Sequence, residues 1–172
     1  MTVYPIIVAP DPRLKLKSKR VECVDDAIRK LMDDMLETMH GANGIGLAAT
    51  QIGVQKRLIV IDTAREDEEP APLCMANPEI IDVSDDDQVR EEGCLSLPEQ
   101  YSEVVRPCSV RVRYVDRENE IREMDADGIL AVCVQHEIDH LDGILFVDHI
   151  SALKRNMILR KLTKIKKQEA PA

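Results

Sequence analysis

Between Asp25 and Gly41 the apolar positions Ile28, Leu31, Met32, Met35, Leu36 and Met39 recur every three or four residues, the spacing of one helix face. Asp25 or Asp26 is placed to cap its start, and His40 and Gly41 mark its end, where a cation suits the helix dipole. The methionine stripe fits a packed core better than a ligand groove. A second helix is expected after Asp127 and Gly128, stopping near Asp142 and Gly143. A third runs from about Ser151 to Lys167, with Leu153, Met157, Ile158, Leu162 and Ile165 as its buried stripe. Elsewhere the period shortens. Arg57 to Asp62 (RLIVID) and Met75 to Val83 read as strands, and Ser109 to Tyr114 (SVRVRY) alternates as one side of a hairpin. Its partner is Glu120 to Met124, across a turn at Asp116 to Asn119. Pro5, Pro10 and Pro12 predict extended chain and turns at the start rather than helix. The fold class that follows is α+β, with mostly antiparallel sheets around the second helix and a C-terminal helix.

Composition narrows this without changing it. A chain of 172 residues that is 44% hydrophobic has material for one well-buried core, so a single domain over 1–172 is expected. No apolar run approaches membrane-spanning length, and MTVYPIIVAPDPRLK lacks the basic-then-apolar order of a secretory signal; a soluble, cytoplasmic protein is expected. The cysteines at 23, 74, 94, 108 and 133 form an odd set with no paired spacing, which suits free thiols or a metal ligand better than disulfides. Aromatic residues at 2% leave no platform for stacking bases. Charge is divided unevenly. From Ser151 onward seven basic residues stand against Glu169 alone, a surplus of six positive charges, so the remainder carries fifteen negative ones within the net −9. A basic end on an acidic body suggests that this end meets a polyanion.

Chemistry concentrates in Gln135 to Gly143 (QHEIDHLDG). On a helix, His136 and His140 fall on one face, within reach of a single metal ion, and Glu137 brings a carboxylate beside that metal without being a ligand. Such a carboxylate can take a proton from a water at the metal. Two histidines leave the set one ligand short. Cys94, in Glu92-Gly-Cys-Leu-Ser-Leu-Pro98 at an expected strand end, is the preferred third, and Cys133, three residues before His136, is its rival. Cys133 is read as pocket lining, because three ligands on one short helix face would block a substrate. The run Gly44-Ile-Gly-Leu-Ala-Ala-Thr-Gln51 lets backbone approach a ligand closely. Gln51 there is equally a donor to a developing oxyanion and an ordinary loop or cap residue. His149 is read as structural.

These three motifs, GIGLAATQ, EGCLSLP and QHEIDHLDG in this order, resemble the peptide deformylase family closely, and PDPRL near the start is also similar to family sequence. The resemblance implies Cys94, His136 and His140 as metal ligands and Glu137 as general base and acid. It gives Gln51 and the Leu95 backbone N–H as oxyanion donors, with Gly46 nearby. It implies an apolar methionine pocket of Ile45, Ile129, Val132 and Cys133 and backbone contacts from Ile45 and Gly93; an ion pair between Glu92 and Arg106 is a further expectation that the motifs do not themselves supply. The implied reaction is hydrolysis of the N-formyl group from the formylmethionine of newly synthesised polypeptides, releasing formate. One divalent metal is implied, with Fe2+ favoured and Zn2+, Ni2+ or Co2+ as alternatives. The partners implied are nascent formylated peptides and, through the basic terminal helix, the ribosome near its exit tunnel; neither membrane nor DNA is expected, and the protein is expected to be a monomer. Two positions depart from the bacterial pattern: Tyr101 stands where many members have a substrate-contacting arginine, and Arg90 where an apolar pocket residue is common. A zinc endopeptidase would share His-Glu-x-x-His, but a third histidine at the usual spacing falls on Phe146, and no acidic residue between Ser151 and Lys167 can serve as a glutamate ligand. A structural metal site closed by four ligands and a non-catalytic ribosome-binding module are the remaining alternatives.

Overall fold

The Ile28 amide donates 2.9 Å to the Asp25 carboxylate, and this cap starts helix α1 (Asp26–Gly41) in the computed structural model, which describes residues 1–169. The last three residues of the expected 1–172 domain lie outside the described ones. Seven strands follow: β1 (Gly46–Ala48), β2 (Leu58–Ile61), β3 (Leu73–Val83), β4 (Asp87–Cys94), β5 (Leu97–Pro107), β6 (Ser109–Val115) and β7 (Ile121–Asp127). Two further helices complete the chain, α2 (Gly128–Leu141) and α3 (Ala152–Glu169). One sheet has the order β1-β2-β3-β6-β7 and the other pairs β4 with β5; all these pairings are antiparallel. The α+β class expected from the spacing is the architecture observed.

The two-residue period of the strands decides which helix each side chain meets. Leu58, Val60, Cys74 and Ala76 turn to one face of the larger sheet and pack with Ile28, Met32, Met35 and Met39 of α1. Ile59, Ile61, Met75, Val110 and Val112 turn to the other and pack with Ala131, Val134, Ile138 and Leu141 of α2. The sheet is thereby sandwiched between the two helices. Met32, Met35 and Met39 are fully buried. At about 1.5–3 kcal/mol of transfer free energy each, their role is core packing, not a groove.

Three expectations change. The proline-rich start is extended, yet Pro12–Lys15 forms a 3-10 turn because the Asp11 carboxylate accepts the Arg13 amide and proline suits the first helical position. The glycine-rich run is a short strand, β1, closed by a 3-10 turn at Ala49–Ile52. In α3 the expected buried stripe is mostly exposed: Leu162 is buried and Ile158 partly so, whereas Leu153, Met157 and Ile165 are open at 72%, 59% and 40%. This helix touches the body along a narrow line near Leu97, Val104 and Phe146, so one turn of its stripe is covered and the rest is not. All five cysteines are free thiols. No helix among the described residues is long and apolar enough to cross a membrane.

Candidate active site

Helix α2 is buried on nearly every side, which brings polar residues of its second half into the protein interior: Gln135, His136, Glu137 and His140 are at most 8% exposed. Opposite them the β4–β5 ladder loses its register between Gly93 and Cys94, so that Cys94 pairs with Leu97 while Gly93 pairs with Tyr101. Such a shift re-aims a side chain at a strand end. The Cys94 thiol reaches 3.3 Å from Nε2 of His140, and ligand atoms of Cys94, His136 and His140 all lie within 4.8 Å of one another. One soft sulfur and two imidazoles at this separation form a group that could hold a transition-metal ion and leave a coordination position open. Cys133, the rival ligand, is buried, and burial first, then the charges of Glu137 and Glu92, push its thiol up to about 12. That environment opposes the thiolate a metal requires.

Around this group the charges interlock. His136 places Nδ1 3.0 Å from Oε1 of Glu92, leaving its other ring nitrogen for the metal group. Glu92 accepts two hydrogen bonds from the Arg106 guanidinium, at 2.6 and 2.9 Å, and Arg106 donates a third to Asp139 at 3.0 Å. Asp139 also lies 2.8 Å from Nε2 of His149, which gives the structural reading of that histidine a partner. Burial opposes the Glu92 charge, but the hydrogen bonds of His136 and Arg106 outweigh it and hold its carboxyl at about 2. Burial likewise opposes a proton on His136, whose pKa is nonetheless driven well up by Cys94 and Glu92; burial and the neighbouring His136 push His140 well below its ordinary value. The Glu92–Arg106 pair was anticipated from sequence. Asp139 was not, although it sits within the His-Glu-x-x-His motif, because nothing local marks its distant partner.

Glu137 is the exception to this pairing. Its Oε2 is buried without a hydrogen-bond partner, and burial raises its carboxyl from 4.5 to about 7, against the lowering effect of His136. Gly46 makes room for it: a Cβ added there would fall 2.6 Å from Oε1 of Glu137, so the backbone of β1 and this carboxylate share a space only glycine leaves open. Gln51 is the cap that one of its two readings expected, with its amide nitrogen turned to the metal group. Its Oε1 accepts the Ala48 amide as a cap, while Nε2 is 3.1 Å from Oγ of Ser96 and 3.5 Å from Sγ of Cys94. Ser96, fully buried, carried no signal in the sequence.

A cavity of about 540 Å³ opens over these groups. Its walls contain Ile45, Gly46, Gln51, Gly93, Cys94, Leu95, Ile129, Val132, Cys133, His136 and Glu137, which includes every predicted site residue except His140, buried behind them at 1% exposure. Ile45 and Ile129 are 42% and 48% exposed and form its rim. Arg90, Glu99 and Tyr101 also line it. A carboxyl poised near neutral pH beside a metal-competent group and an amide donor can hydrolyse an acyl–nitrogen bond.

Residues 3–156 match the polypeptide deformylase family pattern. The chain is similar to a peptide deformylase of Mesorhizobium japonicum, 56% identical over 171 residues that cover 99% of this chain and 97% of the relative. It is similar also to one of Agrobacterium fabrum, 57% identical over 164 residues, covering 95% and 96%. The crystal structure of peptide deformylase from Ehrlichia chaffeensis superposes with a TM-score of 0.92 at 42% identity, over 98% of this chain and 99% of that one. A structure from the same organism in complex with actinonin superposes at 0.91 with 44% identity, over 99% and 100%.

Proposed function

The chain belongs to the polypeptide deformylase family, a family of metal-dependent enzymes, and as such it removes the N-formyl group from formylmethionine at the start of newly synthesised polypeptides; we propose the following roles for its residues. Cys94, His136 and His140 hold a divalent ion, ferrous iron in our reading, whose donor set of one thiolate and two imidazoles suits iron and zinc alike. When bound, the ion supplies Lewis acidity to the formyl oxygen and to the attacking water. Glu92 fixes the ring of His136 through Nδ1, and Arg106 neutralises Glu92 so that the buried carboxylate keeps its charge.

Glu137 takes the proton of the water that attacks the formyl carbon and returns it to the departing amine nitrogen as the carbon–nitrogen bond breaks, leaving formate and a free amino terminus. The observation that carries this role is its unpartnered, buried Oε2 in a carboxyl raised to about 7, a value suited to both taking and giving a proton near neutral pH. Charge developing on the formyl oxygen is met by Nε2 of Gln51 and by the Leu95 N–H. Gln51 has two amide hydrogens, and the one facing Cys94 is engaged by a contact of 3.5 Å, weak enough to be given up to a substrate oxygen. Ile45, Ile129, Val132 and Cys133 receive the methionine side chain, and Ile45 and Gly93 contact the peptide backbone. Of the basic residues of α3, the half-buried Arg155 and the exposed Lys166 and Lys167 are the part of the chain suited to ribosomal RNA.

The test is formate release from a formyl-Met tripeptide by protein purified without oxygen and loaded with ferrous iron, beside an acetyl-Met control and a Glu137→Ala variant. Release from the formyl peptide alone, lost in the variant while the metal content stays at one ion per chain, is expected. Undiminished turnover by the variant would remove Glu137 from the chemistry.

A further inference from the structure

A second concavity lies beside the one over the metal group. A groove of about 680 Å³ runs between α3 and β5, floored by Ile158 and walled by Lys154, Met157, Arg160, Lys161 and Lys164 on the helix side. Positions 154, 157, 161 and 164 recur at helical spacing, so one face of α3 is turned to the groove and sets three lysines around the apolar side chain of Met157. On the β5 side lie Gln100 and Ser102, with Glu103 the one carboxylate among the lining residues. Among the described residues, none of the four cations forms an ion pair. Met157 is 59% exposed. Unpaired charge and open apolar surface side by side describe a surface built to be covered.

Tyr101 tells what covers it. It is the residue that lines both this groove and the cavity over Glu137, and it is 63% exposed at their junction. Its ring lies on Gly93, where an added Cβ would fall 2.5 Å from Cε1, so the ring sits directly over the backbone position that contacts the peptide in our reading of the site. A peptide whose first residue is held over the metal group and that leaves past Gly93 therefore passes Tyr101 and enters the groove.

We propose that the groove between α3 and β5 is a distal substrate site, which receives downstream residues of the same formylated chain and selects acidic side chains among them. This rests on the deformylase reading given above. Lys154 to Lys164 covers about 15 Å of helix axis at the usual rise, the reach of four or five extended residues. Met157 and the stems of the lysines offer apolar surface to the peptide, and the four cations offer partners to carboxylates. The rest of the protein argues the same way by contrast. With a net charge of −9, the molecule as a whole repels acidic peptides, and only the basic end could reverse that preference locally. The general field therefore predicts that basic tails bind better, and the groove predicts the opposite.

The experiment measures kcat and KM, at low salt, for formyl-Met-Ala-Ser and for three nonapeptides that extend it with acidic, neutral or lysine residues at positions five to eight. The tripeptide tests the deformylase reading by itself, since it cannot reach the groove. For the nonapeptides we expect equal kcat and a KM for the acidic tail about three- to tenfold below that of the lysine tail, converging above about 0.5 M salt where exposed pairs are screened. A Lys154→Glu/Lys161→Glu/Lys164→Glu variant should invert that order. A variant with Arg155→Glu and Lys167→Glu, whose side chains do not line the groove, should keep it. Equal KM values for acidic and lysine tails with normal tripeptide turnover would overturn the proposal, as would an acidic preference that survives the triple reversal. If the tails are indistinguishable and the triple reversal instead abolishes co-sedimentation with ribosomes, this face is a ribosome contact and not a substrate site.

Discussion

Replacing Glu137 by glutamine in metal-free protein should change how stability depends on pH, by an amount the structure sets. The carboxyl titrates at about 7 in the fold, because burial opposes its charge, against 4.5 when unconstrained. Each pH unit between those values is worth about 1.4 kcal/mol. Ionising Glu137 inside the folded protein therefore costs about 3 kcal/mol. The sign follows from which state binds the proton. Below pH 4.5 both states are protonated and Glu137 is neutral in its effect. From 4.5 to 7 the unfolded chain has lost the proton and the folded chain keeps it, so stability falls as pH rises; above 7 the loss is complete. Glutamine has no such titration. Its amide adds a pH-independent difference of its own, but the stability of the variant relative to the parent should rise by about 2–3 kcal/mol between pH 5 and pH 8.

Urea unfolding of both proteins across that range measures the difference, after chelator treatment and under reducing conditions, with each curve extrapolated linearly to water. Titrations of groups remote from Glu137 are common to the two proteins and cancel, whereas that of His136, which the Glu137 charge raises, is coupled to it and enters the difference. A difference that is flat with pH would refute the argument, for it would mean the buried carboxyl is not held neutral by its surroundings. Restoring the divalent metal should shrink the slope, because a nearby cation favours the carboxylate and draws its pKa back down.

Three further outcomes rest on the same cluster. Arg106→Met should destabilise the fold by about 3–5 kcal/mol in urea, since it strands Glu92 and the partly buried Asp139 without their cation; a loss below 1 kcal/mol would show that the network is not needed for folding. Glu92→Gln removes the charged acceptor from Nδ1 of His136 and should weaken zinc binding about 10–100-fold in competition with a chromogenic chelator, and unchanged affinity would sever Glu92 from the metal group. Gly46→Ala sets a Cβ 2.6 Å from Oε1 of Glu137 and should lower kcat by on the order of a hundredfold as the carboxylate is displaced, with metal content unaltered; normal kcat would mean that Glu137 has room to retreat without consequence.

What the sequence revealed follows from how local each signal is. Helix α1 is legible to within a residue at its start, Asp25 or Asp26, because cap and stripe lie within one segment and the stripe is buried or half-buried along its length. The metal group is legible for a different reason: two of its members share a helix face, and the third stands in a motif of its own. The β4–β5 hairpin was not read, and its burial explains why. Glu92 is the one buried residue of β4, and in β5 burial alternates but falls on Val104 and the charged Arg106 with Val105 58% exposed between them, so the alternation of apolar and polar residue types that betrays a half-buried strand is missing from both sequences. In α3 the apolar stripe is present but misleads, since only Leu162 finds the core. A helix that crosses a body at one turn leaves its pattern uncovered elsewhere, and the exposed positions are then free to serve another surface.

The hydrogen-bond accounting around α2 connects these observations. Burying Gln135, His136, Glu137 and His140 on one helix would leave several polar groups unpaired at about 1–3 kcal/mol each. The fold answers most of them from far along the chain: Gln135 donates to the carbonyl of Pro107 as well as to that of Ala131 one turn back, Glu92 takes the ring of His136, and Arg106 balances Glu92 and Asp139 together. None of these partners belongs to the helix motif except Asp139, which is why the motif alone discloses the ligands and not their support. Two atoms of the helix are left unanswered, Nδ1 of His140 and Oε2 of Glu137. A fold that satisfies the buried carboxylate of Glu92 three times over, yet leaves Glu137 unpaired in the same few ångströms, retains that cost where a proton has to move. The stability that glutamine restores at pH 8 and the turnover that it removes are then two readings of one unpaired oxygen.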